Sequence, residues 1–181
     1  MTKELKLLLK QCRKENKKAQ LKIYDLYCGA MFTIASRYVD AEEAKDIMQE
    51  SFLNAFTKIE KYNDAVSFGA WLKRIVINQC IDHLRKQKLE FVPLENQELE
   101  IENDSDWYFK NTITKEQIIK AIEQIPQKHQ IVIKLYLLEG YDHSEISEIL
   151  KIPIKTSRTH LRRAKLGLQK LLKDVYHEAR Y

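Results

Sequence analysis

This sequence predicts an all-α protein of two small helical domains joined by a flexible acidic linker, and three observations carry the prediction. Apolar residues recur at three- and four-residue steps through residues 3–88 and again from Thr112, with almost no strand-type alternation. Between Leu89 and Asn111 that period vanishes, and the stretch holds seven acids and a proline. From Lys151 to Lys173, by contrast, there are eight Lys or Arg and not one acid. The expected divisions are residues 1–88, 89–112 and 113–181.

Taken in order, a first helix is expected over Glu4–Cys12, followed by a lysine-rich turn. A longer helix spans Ala19–Tyr38, with Leu21, Tyr24, Leu26, Tyr27, Met31, Ile34 and Tyr38 as its buried stripe. Asp40 with Glu43 reads as a capping box that opens the next helix. On Asp46–Ile59 the residues Ile47, Met48, Ser51, Phe52, Ala55, Phe56 and Ile59 point inward, which leaves Asp46, Gln49, Glu50 and Asn54 as an outward acidic–amide stripe. Periodicity alone assigns such a stripe to solvent before any partner.

After the loop Glu60–Ser67, a helix runs from Phe68 to about Lys88, burying Phe68, Leu72, Ile75 and Val76. Trp71, Arg74, Asn78, Asp82 and Arg85 share a strip at helical spacing, and Lys86 and Lys88 extend its basic end. An aromatic ring beside Arg and Asn, next to a loop carrying Tyr62 and Asn63, suits single-stranded nucleic acid: unpaired bases stack on rings while cations hold phosphates. Composition weighs that reading about evenly against a core Trp with solvated charges. Fully extended, the roughly 23 residues of the acidic stretch reach at most about 75–80 Å, around two turns of duplex.

In the second domain Thr114 is placed to cap Lys115–Ile125, with Ile118, Ile119, Ile122 and Ile125 apolar. Pro126 starts another helix, buried through Ile131, Val132, Leu135, Tyr136 and Leu138, and Gly140 ends it. Ser144 stands as the N-cap of a short helix with Ile146, Ile149 and Leu150 apolar, and Pro153 interrupts. A longer helix follows from about Lys155, with Leu161, Ala164, Leu168, Leu171 and Leu172 on one stripe. At roughly 100° per residue, Lys155, Thr156, Thr159, Arg162 and Arg163 fall opposite, flanked by Arg158 and Lys165. A short helix, a tight turn and an acid-free basic helix form a helix-turn-helix, whose second helix enters the DNA major groove.

The composition excludes much else. The 181 residues are 44% hydrophobic and 31% charged with net charge +5, ordinary for a folded chain, so the distribution of charge matters more than its size. No apolar run reaches the length of a membrane span and the charged N-terminal stretch lacks a signal-peptide core, which places the protein in the cytoplasm as an expectation. Cys12, Cys28 and Cys80 are not in CxxC form, the five histidines lack ligand spacing, and no phosphate-binding glycine loop exists, so neither metal nor cofactor is expected. No nucleophilic or paired-carboxylate site can be assembled; the chain reads as a non-enzyme with no small-molecule substrate.

With both domains in view, the chain resembles a bacterial RNA polymerase sigma factor of the extracytoplasmic-function (ECF) type along nearly its whole length. DIMQESFLNAFTKI resembles the family's region-2 helix, with Asp46, Gln49 and Glu50 on its D-x-x-Q-E pattern. SFGAWLKRIVINQCIDHLRKQK resembles the stretch that handles the minus-ten element, with Trp71, Asn78, Asp82 and Arg85 in register, and Tyr62–Asn63 in the loop that captures a flipped base. AIEQIPQKHQIVIKLYLLEGYDHSEISEIL resembles region 4, and the minus-thirty-five recognition helix follows it.

The resemblance implies that Asp46, Gln49, Glu50 and Asn54 face the β′ clamp of core RNA polymerase. It implies that Tyr62, Asn63, Trp71, Arg74, Asn78 and Arg85 contact melted minus-ten DNA, and that Lys155, Thr156, Arg158, Thr159, Arg162 and Arg163 contact minus-thirty-five duplex. Core polymerase (β′ and β subunits), promoter DNA and an anti-sigma factor are the implied partners. The resemblance is to the short type of the family, so the region-1.1 and region-3 segments of primary sigma factors are not expected. The chain departs from the family pattern at Lys151, commonly Gly, at Ser147, usually Ala, and at Lys155-Thr156-Ser157, frequently Gly-Thr-Val. Two other functions compete: a stand-alone dimeric helix-turn-helix regulator, and an adaptor that only binds protein.

Overall fold

A computed structural model describes residues 2–87 and 113–178, with side chains up to Leu172 in the last helix. The acidic linker and its limits at 89–112, Lys88, and the side chain of Lys173 lie outside the described residues. Among the described residues every regular element is helical, and the chain divides into two compact units between Lys88 and Leu89.

The first unit holds α1 (Lys3–Cys12), α2 (Lys17–Ala35), α3 (Ala41–Thr57), a single 3-10 turn at Ile59–Lys61, and α4 (Phe68–Lys86). Each α-helix begins at a side-chain oxygen that takes an orphan N–H: Thr2 from Leu5, Asn16 from Ala19, Asp40 from Glu43 and Ser67 from Ala70. The Asp40 cap is not reciprocated as a box, because the Glu43 carboxylate turns away to His83 (2.9 Å) and Gln87 (2.8 Å) on α4. α2 packs on α1, α3 and α4, and α3 packs on α4. Phe52, Phe68, Ile23, Leu72, Ile77 and Ile81 are fully buried at the centre.

α2 corrects the expected stripe. Leu21 and Leu26 are 61% and 64% exposed, while Ala19, Ile23, Met31, Ile34 and Ala35 face inward. Three neighbouring helices come close enough to demand small residues, so the chain buries alanines and leaves two leucines outside. The helix also starts earlier than expected, at Lys17, and ends at Ala35, although Tyr38 beyond it remains buried.

The second unit holds α5 (Lys115–Gln124), α6 (Gln127–Ile133), a wide π turn (Lys134–Leu138), α7 (His143–Leu150) and α8 (Ile154–Glu178), with α8 packed on α5, α6 and α7. Thr114 and Gln117 form a full capping box on α5. Ile118 and Ile119 are half-exposed, and the α5 contribution to the core is Ala121, Ile122 and Ile125. The π turn overturns two further expectations. Its extra residue rotates the face, so Tyr136 and Leu138 are 37% and 41% exposed while Ile133 is buried with Ile131, Val132 and Leu135.

Candidate nucleic-acid interface

On α3 the residues Asp46, Gln49 and Glu50 are exposed and Asn54 is half-buried. The opposite side, Ala44, Ile47, Met48, Ser51, Phe52 and Ala55, is fully committed to the core. The stripe is therefore a free edge of a rigid helix. Sequence reasoning missed its centre: Leu53, 69% exposed, lies four residues on from Gln49 and so on the same face. An apolar side chain ringed by acids and amides is the anatomy of a protein-docking patch, an apolar centre with a polar rim.

The loop before α4 is more built than its composition implies. Tyr62 is only 3% exposed, its ring 5.5 Å from Phe68 and 5.4 Å from Trp71, and its hydroxyl donates to the Val66 carbonyl at 2.9 Å. Burial pushes the phenol upward from its ordinary range, with Asp64 adding to the effect. The ring offers no open face on which a base could stack; the Tyr62 side chain holds the loop. Asn63 is exposed and its Oδ1 accepts from the Ala65 N–H at 3.2 Å, closing a small Asx turn around Asp64 (φ 60°).

Along α4, Trp71, Arg74 and Arg85 are half-buried and Asn78 is exposed, a strip on the outer face of the helix. Arg85 bonds Asp82 at 3.0 Å, one turn back. Trp71 settles between the two readings its sequence left open: one side packs on Tyr62 and Phe68 (5.6 Å), the other remains accessible.

The helix-turn-helix is α7, the connection Lys151–Pro153, and α8. Its first helix is capped not by Ser144 but by Asp142, which with Glu145 makes a reciprocal capping box at 2.8 and 3.0 Å. Lys151 closes α7 in the left-handed region, φ 49° and ψ 45°. A Cβ there costs about 1 kcal/mol, so Lys151→Gly is expected to stabilise the second unit by up to about 1 kcal/mol, less the added freedom of glycine in the unfolded chain. A urea midpoint that falls instead would show that Lys151 makes a compensating contact.

The two hydroxyls that depart from the family pattern are both satisfied. Ser147 Oγ donates to the Ile152 carbonyl, tying the turn to α7. Ser157 is fully buried on α8, 2.9 Å from His143 Nδ1 on α7, and the His143 ring stacks on Tyr136 at 5.2 Å. Burial, then the Arg158 cation, hold the His143 imidazole below its ordinary range. On the opposite side of α8 Lys155 and Arg158 are exposed, and Thr156, Thr159, Arg162 and Arg163 are half-exposed. Thr159 Oγ1 bonds back to the Lys155 carbonyl at 3.0 Å. The structure thus brings all six predicted residues of this helix to one outer face.

A second pair went unread in the sequence. His129 on α6 and His160 on α8 are 7% and 0% exposed, with their Nδ1 atoms 2.9 Å apart. Burial above all pushes each imidazole down to about 4, so both are neutral and one Nδ1 donates to the other. Continuing the α8 stripe back from Ala164 and Leu161 passes through His160, a signal that periodicity did carry. Among the described residues no group of three or more His, Cys, Asp or Glu side chains is arranged to hold a metal, and no helix is long and apolar enough to cross a membrane.

Residues 23–90 match the family described as Sigma-70 region 2, and residues 115–168 match Sigma-70, region 4. The ECF RNA polymerase sigma factor SigW of Bacillus subtilis is 29% identical over 94% of this chain and 98% of its own length. The ECF RNA polymerase sigma-E factor of Escherichia coli K12 is 25% identical over 88% of this chain and 89% of the relative. Two solved structures share the fold. CnrH, in complex with the cytosolic domain of CnrY, has TM-score 0.54 and 18% identity over 93% of this chain and 96% of that one. The sigma factor RpoE of Bartonella quintana, in complex with the anti-sigma factor NepR, has TM-score 0.56 and 21% identity over 84% and 95%.

Proposed function

The chain belongs to the sigma-70 family of RNA polymerase sigma factors, as one of the ECF type, and from that premise we propose that it directs core polymerase to particular promoters by holding melted minus-ten DNA in its first unit and minus-thirty-five duplex in its second. The observation that carries this reading is the separation of three faces on two units. The α3 stripe is acidic and amide with Leu53 at its centre, which suits a polymerase subunit. The α4 strip pairs an accessible Trp71 edge with Arg74, Asn78 and Arg85, which suits unpaired bases and their phosphates. The outer face of α8 carries cations and hydroxyls, which suits a major groove.

In this mechanism no bond is made by the protein. Binding free energy from Asn63, Trp71, Arg74, Asn78 and Arg85 offsets the unstacking of the minus-ten bases. Lys155, Thr156, Arg158, Thr159, Arg162 and Arg163 fix the upstream register, some through bases and some through phosphates. Its site of action is the cytoplasm, where polymerase and promoter are. An anti-sigma factor that covers these faces is a further partner, by analogy with the Bartonella quintana relative.

Run-off transcription with core polymerase on a pool of promoter fragments tests the whole. Initiation is expected to require this protein, and Asp46→Ala/Gln49→Ala is expected to lower it at least about tenfold, as loss of contacts at an interface centre does. Tight binding to a palindromic duplex by the protein alone, with no initiation, would make it a dimeric regulator instead.

A further inference from the structure

We propose that Arg13, at the end of α1, is a positioning residue for the minus-ten reader: its guanidinium holds the Tyr62 carbonyl and so fixes the loop that presents Asn63. This rests on the reading of the first unit given above, and extends it to a helix outside the segment, residues 23–90, that the family match covers.

Arg13 Nη2 donates to the Tyr62 carbonyl oxygen at 2.8 Å, across 49 positions of sequence. The arginine is itself well placed to hold a position. Its backbone N–H closes the last turn of α1 on the Leu9 carbonyl at 3.1 Å, and α1 is anchored through the buried Leu8, Leu9 and Cys12. The contact of its Nε with Glu60, 3.9 Å away, involves a carboxylate 73% exposed and adds little. The carbonyl is the informative partner. It sits where the chain leaves the 3-10 turn, and the backbone beyond it runs through a left-handed Asp64.

Within the loop, Tyr62 Oη bonds the Val66 carbonyl and Asn63 Oδ1 bonds the Ala65 N–H. These bonds set its shape. Arg13 sets where that shape stands relative to another helix. α1 also supplies Leu5 and Lys6 to one wall of a cleft of about 550 Å³, whose other wall includes Tyr27, Tyr62, Asp64 and Phe68. A loop that must receive an unpaired base binds better when its ordering is complete beforehand. Removing Arg13 shifts that cost onto DNA binding and leaves the α3 docking face, on the far side of the buried Phe52, unaltered.

The test uses holoenzyme assembled from core polymerase and the full chain, with a library of forked duplexes randomised over the unpaired minus-ten strand. Wild-type protein is expected to enrich particular bases. Arg13→Ala is expected to lose about tenfold of that enrichment at one or two adjacent positions and to keep it elsewhere, with core binding within twofold. Arg13→Lys, which retains a donor for the carbonyl, is expected to recover most of it. Enrichment by Arg13→Ala equal to wild type would overturn the inference alone. So would a uniform loss at every position together with weakened core binding. Wild-type holoenzyme that enriches no sequence would overturn the minus-ten reading, and the role of Arg13 with it.

Discussion

The second unit is expected to lose several kcal/mol of stability as pH falls from 6.5 to 4, while the first unit is little affected over that interval. His143, held below its ordinary range by burial and then by Arg158, acts in this direction, but the main cause is the His129–His160 pair. Both rings are buried and neutral in the fold, with protonation displaced to about 4. The unfolded chain takes up protons at the ordinary histidine value of 6.5. The unfolded state therefore binds more protons throughout the interval, and stability rises with pH across it. It is whole above 6.5, declines toward 4 and levels off below.

Holding the coupled pair neutral over that span accounts for a few kcal/mol of the loss in total, a large share of a domain stability of about 5–15 kcal/mol. In the first unit, hydrogen bonds from His83 and Gln87 hold the Glu43 carboxyl below its ordinary 4.5. Its contribution is present above that value and lost as pH falls through the lowered one, beneath the window in which the histidines act. Amide-resolved hydrogen exchange or NMR between pH 7 and pH 4 would follow the two units separately. His129→Leu/His160→Phe, which removes both partners together and strands neither, is expected to flatten the response of the second unit. A response that persists in the double variant would assign it to other groups.

Arg162→Ala/Arg163→Ala is expected to weaken binding of the full chain to minus-thirty-five duplex by about 100-fold at low salt, near the loss that removal of two phosphate contacts brings. The slope of log affinity against log salt should become shallower by about 2, since each neutralised phosphate contributes about 0.9. Thr156→Ala should leave the slope unchanged and alter only which base is preferred. An unaltered slope in the arginine double variant would place both guanidiniums away from the phosphates. Arg163 has a second consequence: its charge is among the causes that keep His129 and His160 neutral. Its removal should ease their protonation and slightly reduce the acid sensitivity of the second unit.

The helices were legible because their periods are long and because Asp40 and Thr114 mark the starts of α3 and α5, whereas the caps Asn16 and Ser67 emerged only in the structure. The faces of α3, α4 and α8 followed from the same period. What escaped depends on neighbours rather than on period. Leu21 and Leu26 fit a buried stripe but lie outside, since the approach of three helices selects Ala19 and Ala35 for the interior. Tyr136 and Leu138 were misplaced by a π turn, which leaves no mark in composition. Ser144 lost the capping position to Asp142 because Glu145 completes a box with the aspartate. Tyr62 reads as an exposed loop aromatic until Phe68 and Trp71 close over it. The acidic–amide face was visible, yet its leucine was not, because apolar residues are assigned inward by habit. The assignment of these faces to polymerase and promoter comes from the family resemblance, which periodicity does not contain.

The hydrogen bond between His143 and Ser157 limits how this recognition helix can diversify. A change of Ser157 to an apolar residue leaves a half-buried imidazole nitrogen without this partner, and loss of His143 takes the partner from a fully buried hydroxyl. Either single step costs about 1–3 kcal/mol, whereas the paired change is nearly neutral. The two positions are therefore coupled, and if the outer face of α8 reads the minus-thirty-five duplex as proposed, base preference would change through its outward neighbours, Lys155, Thr156, Arg158 and Thr159, while the Ser157 side stays fixed.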